Sequence, residues 1–313
     1  MSKNHFSALW NNLVYLVQYG FTRIISWIVC LIPFRWALMI ARPIGAILFF
    51  TLKRPRQMAI QNLKSAFPEK NEAEIKSIAQ VAFRHLAEFG IEWLMMPEMI
   101  EHSKKYLIKE VIGKEKIPEG LAQKRGAIVL VTHTANWEVM ALMMGRLLTD
   151  KSVGATVYAV ARPLKNPYLY QYAVKIRAGR GLKTINKFGG VRETFDRLRK
   201  DNAVMCILID QRVSEGGIET NFFGRPALTT SLPVMAALRL GTPIFFSFMR
   251  QTDDLRYEMK IEGPVPIART RDFKKDIITN TQNFAARAEA EIRKNPSHWL
   301  WMHNRWRVAH GAK

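Results

Sequence analysis

The sequence has little of what secreted, metal-dependent and nucleotide-dependent proteins need. Only two of its 313 residues are cysteines. Cys30 sits in an apolar N-terminal run and Cys206 in a predicted strand, so they build no disulfide framework and show no metal-ligand spacing. Both read as small core residues of a reducing compartment. HExxH, GxSxG and a glycine-rich phosphate loop are all absent, and GRG at 179–181 is too short to count as one. Acidic side chains are scarce as well: 26 Asp and Glu face 47 Lys and Arg, a formal net charge of +21. A surface so basic attracts phosphates, anionic lipid headgroups or acidic proteins. With no zinc-finger spacing, no RNP-type aromatic motif and no discrete basic tail, nucleic acid fits less well than a membrane surface.

What the chain does have begins at its N-terminus. Residues 6–50 are mostly apolar, with Arg23, Arg35 and Arg42 as the only charges. A signal peptide would have a much shorter apolar core and a small-residue cleavage site. A clean spanning helix needs roughly 20 apolar residues, and Asn11, Asn12, Gln18 and Arg23 interrupt the best window. The pattern therefore predicts a helix lying in one leaflet. A single tilted span from Leu9 to Ile32 and a buried helical hairpin turning at Pro33 are the alternatives. Trp10, Trp27 and Trp36 suit an interface. We expect residues 1–52 to form a membrane-associated helical segment and 53–313 an α/β domain.

Residues 53–67 read as an amphipathic helix stopped by Pro68. The following stretch opens with Asn71 and Glu74 at capping-box spacing and carries apolar residues at helical period. His85 and Glu88 within it read as a solvated face. From residue 126 short apolar strands at 127–133, 155–162, 182–186, 203–210, 243–250 and 257–265 alternate with helical stretches. This alternation predicts a three-layer αβα domain with a mixed, largely parallel sheet. In such sheets chemistry gathers at the carboxyl ends of strands. Here those ends carry His133, Arg162, and Asp210 with Gln211.

The stretch VTHTANWEVM, residues 131–140, ends a strand and starts a helix. Asn136 can cap that helix, and Glu138 falls in its first turn. On a regular helix five residues turn through about 140° and would separate His133 from Glu138. A bend before the helix can instead set the carboxylate against the imidazole, fixing its tautomer and leaving the other nitrogen as a general base. That is a triad without a serine, so the nucleophile would be a substrate hydroxyl. Taken alone, the pair reads equally as a structural turn. It lacks the third ligand a metal site would need.

HTANWE resembles the H-x4-(D/E) signature of glycerolipid-type acyltransferases, and more closely the HxGNWE form of the lipid A late acyltransferases, with Ala135 at the usual glycine position. RPRQMAIQNLKSAFPE, ARPLKNPYL, GGVRETFDRLRKDNAVMCILIDQ, NFFGRPALTT and WLWMHNRWR are similar to further segments of that family, in the same order. The resemblance implies transfer of a fatty acyl chain from acyl carrier protein to a hydroxyl of a membrane glycolipid, a lipid A precursor, at the cytoplasmic face of the inner membrane, with no metal and no cofactor. In that scheme His133 deprotonates the acceptor and Glu138 orients the imidazole. Arg162, or backbone N–H groups beside Asn136, stabilises the oxyanion, and Asp210 and Gln211 shape the acceptor pocket. Arg180, with Arg305 and Arg307, would serve headgroup or carrier. Phe222 and Phe223 are candidates for the wall of an acyl-chain pocket, with core packing as the competing role. A lysophospholipid or aminolipid acceptor, or a silent lipid-binding protein that keeps the fold, are the rival functions.

Overall fold

The computed structural model describes residues 3–101, 108–213, 216–252 and 254–306; Arg307 lies outside them. Two apolar helices come first, α1 (Lys3–Cys30) and α2 (Phe34–Thr51), with Pro33 at the N-cap of the second. The chain turns at Pro33 but does not make the buried hairpin considered above: each helix packs on the long helix Glu72–Glu101 rather than on the other, and one face of the pair is open. Ala37, Leu38, Ala41 and Phe49 are buried, whereas Trp10, Val17, Phe21, Trp27, Leu31, Trp36, Ile47 and Phe50 are all exposed. The basic helix α3 (Lys53–Ala66) and the long helix α4 (Glu72–Glu101) follow. The capping box at the start of α4 forms as read: Asn71 Oδ1 accepts from Glu74 N–H at 3.0 Å, and Glu74 Oε2 accepts from Asn71 N–H at 2.9 Å.

The remainder builds a seven-stranded sheet. Its strands are β1 (Ile108–Ile112), β2 (Ala127–Val131), β3 (Val157–Ala161), β4 (Leu182–Asn186), β5 (Val204–Leu208), β8 (Ile244–Gln251) and β9 (Tyr257–Glu262), in the order β1-β9-β8-β2-β5-β3-β4. β8, β2, β5, β3 and β4 run parallel, and β9 turns back antiparallel on β8. The mixed, largely parallel sheet is the one the sequence predicts. A separate hairpin of β6 (Gly217–Phe222) and β7 (Arg225–Thr230) was not expected, nor was β1. The alternation of buried and exposed residues along the hairpin is too short to distinguish it from a loop.

Helices α5 (Lys116–Leu121), α6 (Trp137–Thr149), α7 (Pro167–Ala178), α8 (Gly190–Asp201), α9 (Leu232–Leu240) and α10 (Phe273–Lys294) complete the chain. β2 shows why the domain has three layers: Ile128 and Leu130 pack into a core with α8, α9 and α10, while Ala127, Val129 and Val131 pack into another with α2, α5 and α6. A strand buried on both faces needs every residue apolar, and AIVLV supplies that. α4 joins both cores, Ile75, Ala79 and Phe83 in the first and Met95, Met96 and Met99 in the second. It therefore passes across the end of the sheet, which brings its middle turns over the carboxyl ends of the strands.

Candidate active site

The parallel register sets the site. Val131 pairs with Leu208, so two residues further His133 and Asp210 leave neighbouring strands side by side. The Asp210 carboxylate takes His133 Nδ1 at 2.7 Å on Oδ1 and the His133 backbone N–H at 2.6 Å on Oδ2. The Trp299 indole N–H also donates to Oδ2, at 2.6 Å. Burial alone would raise the Asp210 carboxyl; the His133 charge and these hydrogen bonds outweigh it and hold the group below its ordinary range. An ionised carboxylate only accepts, so Nδ1 carries a proton, and in the neutral imidazole the lone pair is on Nε2.

Glu138 is elsewhere. Its carboxylate takes a bidentate pair from Arg177 on α7, Nε to Oε2 at 3.0 Å and Nη2 to Oε1 at 2.6 Å. The expected bend does occur, with Ala135 in the left-handed region at φ 49°. It turns Glu138 toward α7, however, and the place against the imidazole is filled by Asp210 from a strand 77 residues away in sequence. Asn136 caps α6 as read, its Oδ1 accepting from the N–H groups of Glu138 and Val139 at 3.1 and 3.0 Å. Those two N–H groups, the rival oxyanion donors, are thereby already engaged.

The turn is held from two further sides. Asn136 Nδ2 donates to Glu92 at 2.6 Å, and the other Glu92 oxygen accepts from the Tyr257 hydroxyl at 2.6 Å. Glu92 is buried, and desolvation pushes its carboxyl up to about 7. From the C-terminal segment, His298 O accepts from Ala135 N–H at 3.1 Å, and Thr134 forms a bridge with Trp299. His85 and Glu88, expected on a solvated face, are drawn in: His85 bonds Glu88 at 2.9 Å and stacks on His298 at 4.0 Å, and Glu88 is buried. Burial lowers both His298 and His303 to about 4, so both rings are neutral near pH 7. Phe89 stacks on Trp137 at 4.2 Å beside them. His133, His85, Phe89, Trp137, His298 and Trp299 line a narrow cleft with about 20 Å³ of free volume, room for a water.

Other predicted residues divide. Arg162 ends β3, one position past the β3–β4 pair Ala161 and Asn186, with its guanidinium over the Phe188 ring at 5.7 Å. The Gln211 carbonyl accepts from Arg305 at 3.1 Å. Arg305 is buried and also holds Leu228 O and Thr229 Oγ1, at 2.5 Å each, so it ties β7 to the Asp210 loop and faces no headgroup or carrier. Arg180 lies in the turn before β4, at the amino end of the sheet, because α7 carries the chain back across it. It does not join His133. Phe222 and Phe223 pack among Trp299, Trp301 and Trp306 and are core. Glu92 and Arg177 escaped the sequence reading; Trp299 and His303 lie in the segment WLWMHNRWR, whose pattern alone assigns them no role.

Comparison with known proteins identifies the family. Residues 3–308 match the bacterial lipid A biosynthesis acyltransferase family. The chain is 25% identical over 228 residues to phosphatidylinositol mannoside acyltransferase of Mycobacterium tuberculosis, covering 71% of this chain and 68% of that protein. It is 22% identical over 297 residues to lipid A biosynthesis palmitoleoyltransferase of Escherichia coli K12, covering 91% and 89%. It is 25% identical over 266 residues to lipid A biosynthesis acyltransferase of Haemophilus influenzae, covering 83% and 76%. Matched over nearly its whole length, the chain belongs to the bacterial lipid A biosynthesis acyltransferase family and is an acyltransferase.

Proposed function

We propose that the protein moves a fatty acyl chain from the thioester of acyl carrier protein to a hydroxyl of a membrane glycolipid, a lipid A precursor. One observation carries the mechanism: Asp210 fixes the proton on His133 Nδ1, leaving Nε2 as the base at the cleft. Nε2 takes the acceptor hydroxyl proton as the oxygen attacks the thioester carbonyl. The tetrahedral intermediate collapses, the C–S bond breaks, and the departing thiolate recovers the proton from His133. Asp210 stabilises the imidazolium between these steps. Glu138, bound to Arg177, fixes the first turn of α6 behind the base. Gln211 acts through its carbonyl on the same loop.

The two N-terminal helices support a membrane location. The polar residues that interrupt α1 face the domain: Asn166 Nδ2 donates to Tyr15 O and to Gln18, Tyr168 donates to Asn12, and Arg23 stacks on Tyr172 at 4.7 Å. Ser26 then donates to Leu94 O on α4 at 2.5 Å. Docked along that length, α1 lies across the domain with its apolar face outward. This suits seating in one leaflet, at the cytoplasmic face of the inner membrane, with residues 1–52 as the anchor. The names of the mycobacterial relatives favour a second acceptor, a phosphatidylinositol mannoside. Incubating the purified protein with acyl carrier protein or coenzyme A thioesters and a panel of glycolipid and lysophospholipid acceptors, read by mass spectrometry beside His133→Ala, tests the reading. Transfer to a glycolipid that depends on His133 is expected; wild type no more active than the variant on every acceptor would end it.

A further inference from the structure

The second cation beside the site has no role in the scheme above. Ala161 and Asn186 are paired in the parallel β3–β4 register, so Arg162 and Lys187 leave adjacent strands at the same level. Lys187 N–H donates to Ala161 O at 2.9 Å, which locks the two strand ends together. Strand neighbours are about 4.8 Å apart, so both cations emerge from nearly one point. Neither is in an ion pair or hydrogen bond with a carboxylate among the described residues. Partial burial, and then the Arg162 charge, lowers the Lys187 ammonium from its ordinary range, and Lys187 in turn contributes to the depression of His303. Two like charges held together with no counter-ion repel each other, and the arrangement becomes favourable when an anionic phosphate sits between them.

Their position says which molecule the anion belongs to. The strand order β2-β5-β3-β4 puts His133, Asp210, Arg162 and Lys187 on successive strand ends in one row. Lys187 is three strand spacings from His133, about 14 Å at the backbone, and its side chain and that of Arg162 can close part of that gap. Phe188 holds the guanidinium from below, and Leu164, Phe188 and Val191 expose apolar surface around the pair. A lone inorganic ion would gain nothing from that apolar rim, whereas a phosphate ester with lipid or pantetheine attached would.

We propose that Lys187 and Arg162 form a phosphate clamp that grips a phosphate ester of one of the two substrates while its reacting end lies at His133. It rests on the acyl-transfer reading for the identity of that substrate and not for the existence of the site. Two phosphates are within this chemistry, one on the acceptor headgroup and one on the phosphopantetheine arm of the donor. The clamp would assign Arg162 to binding rather than to the oxyanion.

The test uses the full-length protein with Lys187→Gln, Lys187→Arg and, as a charge-matched control at the opposite rim of the sheet, Lys151→Gln. Inorganic pyrophosphate is titrated calorimetrically. Wild type should bind it, Lys187→Gln should weaken binding at least about tenfold, Lys187→Arg should restore most of it, and Lys151→Gln should leave it unchanged. Transfer is then compared for acyl-phosphopantetheine against acyl-pantetheine, and for a phosphorylated against a dephosphorylated glycolipid acceptor. The ratio of kcat/KM values should fall in Lys187→Gln for one pair, and which pair falls names the source. No pyrophosphate binding by wild type, equal binding by Lys187→Gln, or equal weakening by Lys151→Gln overturns the clamp. The titration stands even if no acyl transfer is observed, so failure of the clamp and failure of the proposed reaction are separate results.

Discussion

His133 is held by two bonds to one carboxylate, which Trp299 fixes with a third, and the histidines His298 and His303 near it are buried neutral. His298 and His303 titrate near 4 in the folded chain and near 6.5 when unfolded. Between those values the unfolded chain binds more protons, so stability falls as pH drops, by about 1.4 kcal/mol per pH unit for each fully differing site. Glu92 acts in the opposite sense. Burial raises it to about 7, so the folded state holds the extra proton above about 4.3 and stability falls as pH rises through 7. Calorimetric melts should therefore show a maximum near pH 6.5. His298→Gln should flatten the acid limb, and Glu92→Gln should raise the melting temperature at pH 8 relative to pH 5. A melting temperature independent of pH from 4.5 to 8 would refute the burial of these groups. Much of this network was invisible in the sequence. His133, Asn136 and Asp210 could be named because strand ends and caps are local patterns, but the choice of Asp210 over Glu138 as the imidazole partner depends on strand order, which no spacing encodes.

At the scale of elements, Gly45 and Asn166 mark two of the junctions that hold the N-terminal helices to the domain. α2 crosses α4 at Gly45, where an added Cβ would lie 2.5 Å from Arg84 Cα and 2.8 Å from Phe83 O. Both are backbone atoms and cannot rotate away, so Gly45→Val should push α2 off α4 and cost about 1–3 kcal/mol, read as a lowered melting temperature. An unchanged temperature would show that α2 does not pack there. Asn166 makes the other junction: it caps α7 with Oδ1, from Tyr168 and Leu169 N–H, while its amide bonds α1. The helices and the core strands were legible because their periods are long and their runs apolar. β1 and the β6–β7 hairpin were not, since five or six residues resemble a loop and the edge strand β1 is decided by its parallel partner β9, far away in sequence.

For the whole molecule, the open apolar face of the N-terminal helices and the charge of +21 act together. Apolar burial seats the helices, and basic side chains add attraction that salt screens. Phe21→Glu with Trp27→Glu alters residues that are 65% and 66% exposed, so the fold should survive while sedimentation with anionic vesicles is largely lost. Wild-type binding should weaken between 0.1 and 0.5 M salt, within about one Debye length, yet persist in part through its apolar component. Retention of the double variant on vesicles at wild-type levels would remove the N-terminal helices as the anchor. The interrupted hydropathy of α1 was readable, although the partners of its polar residues, Asn166, Tyr168 and Tyr172, were not.

The central claim is that His133 works as a base because Asp210, not Glu138, holds its tautomer. It is tested most directly by the rate of acyl transfer from acyl carrier protein to the glycolipid acceptor in Asp210→Asn and Glu138→Gln, each confirmed folded. The account predicts a loss of at least about a hundredfold for Asp210→Asn, in the range of a general base, and a smaller loss for Glu138→Gln. Asp210→Asn at near wild-type rate, with Glu138→Gln inactive, would contradict it.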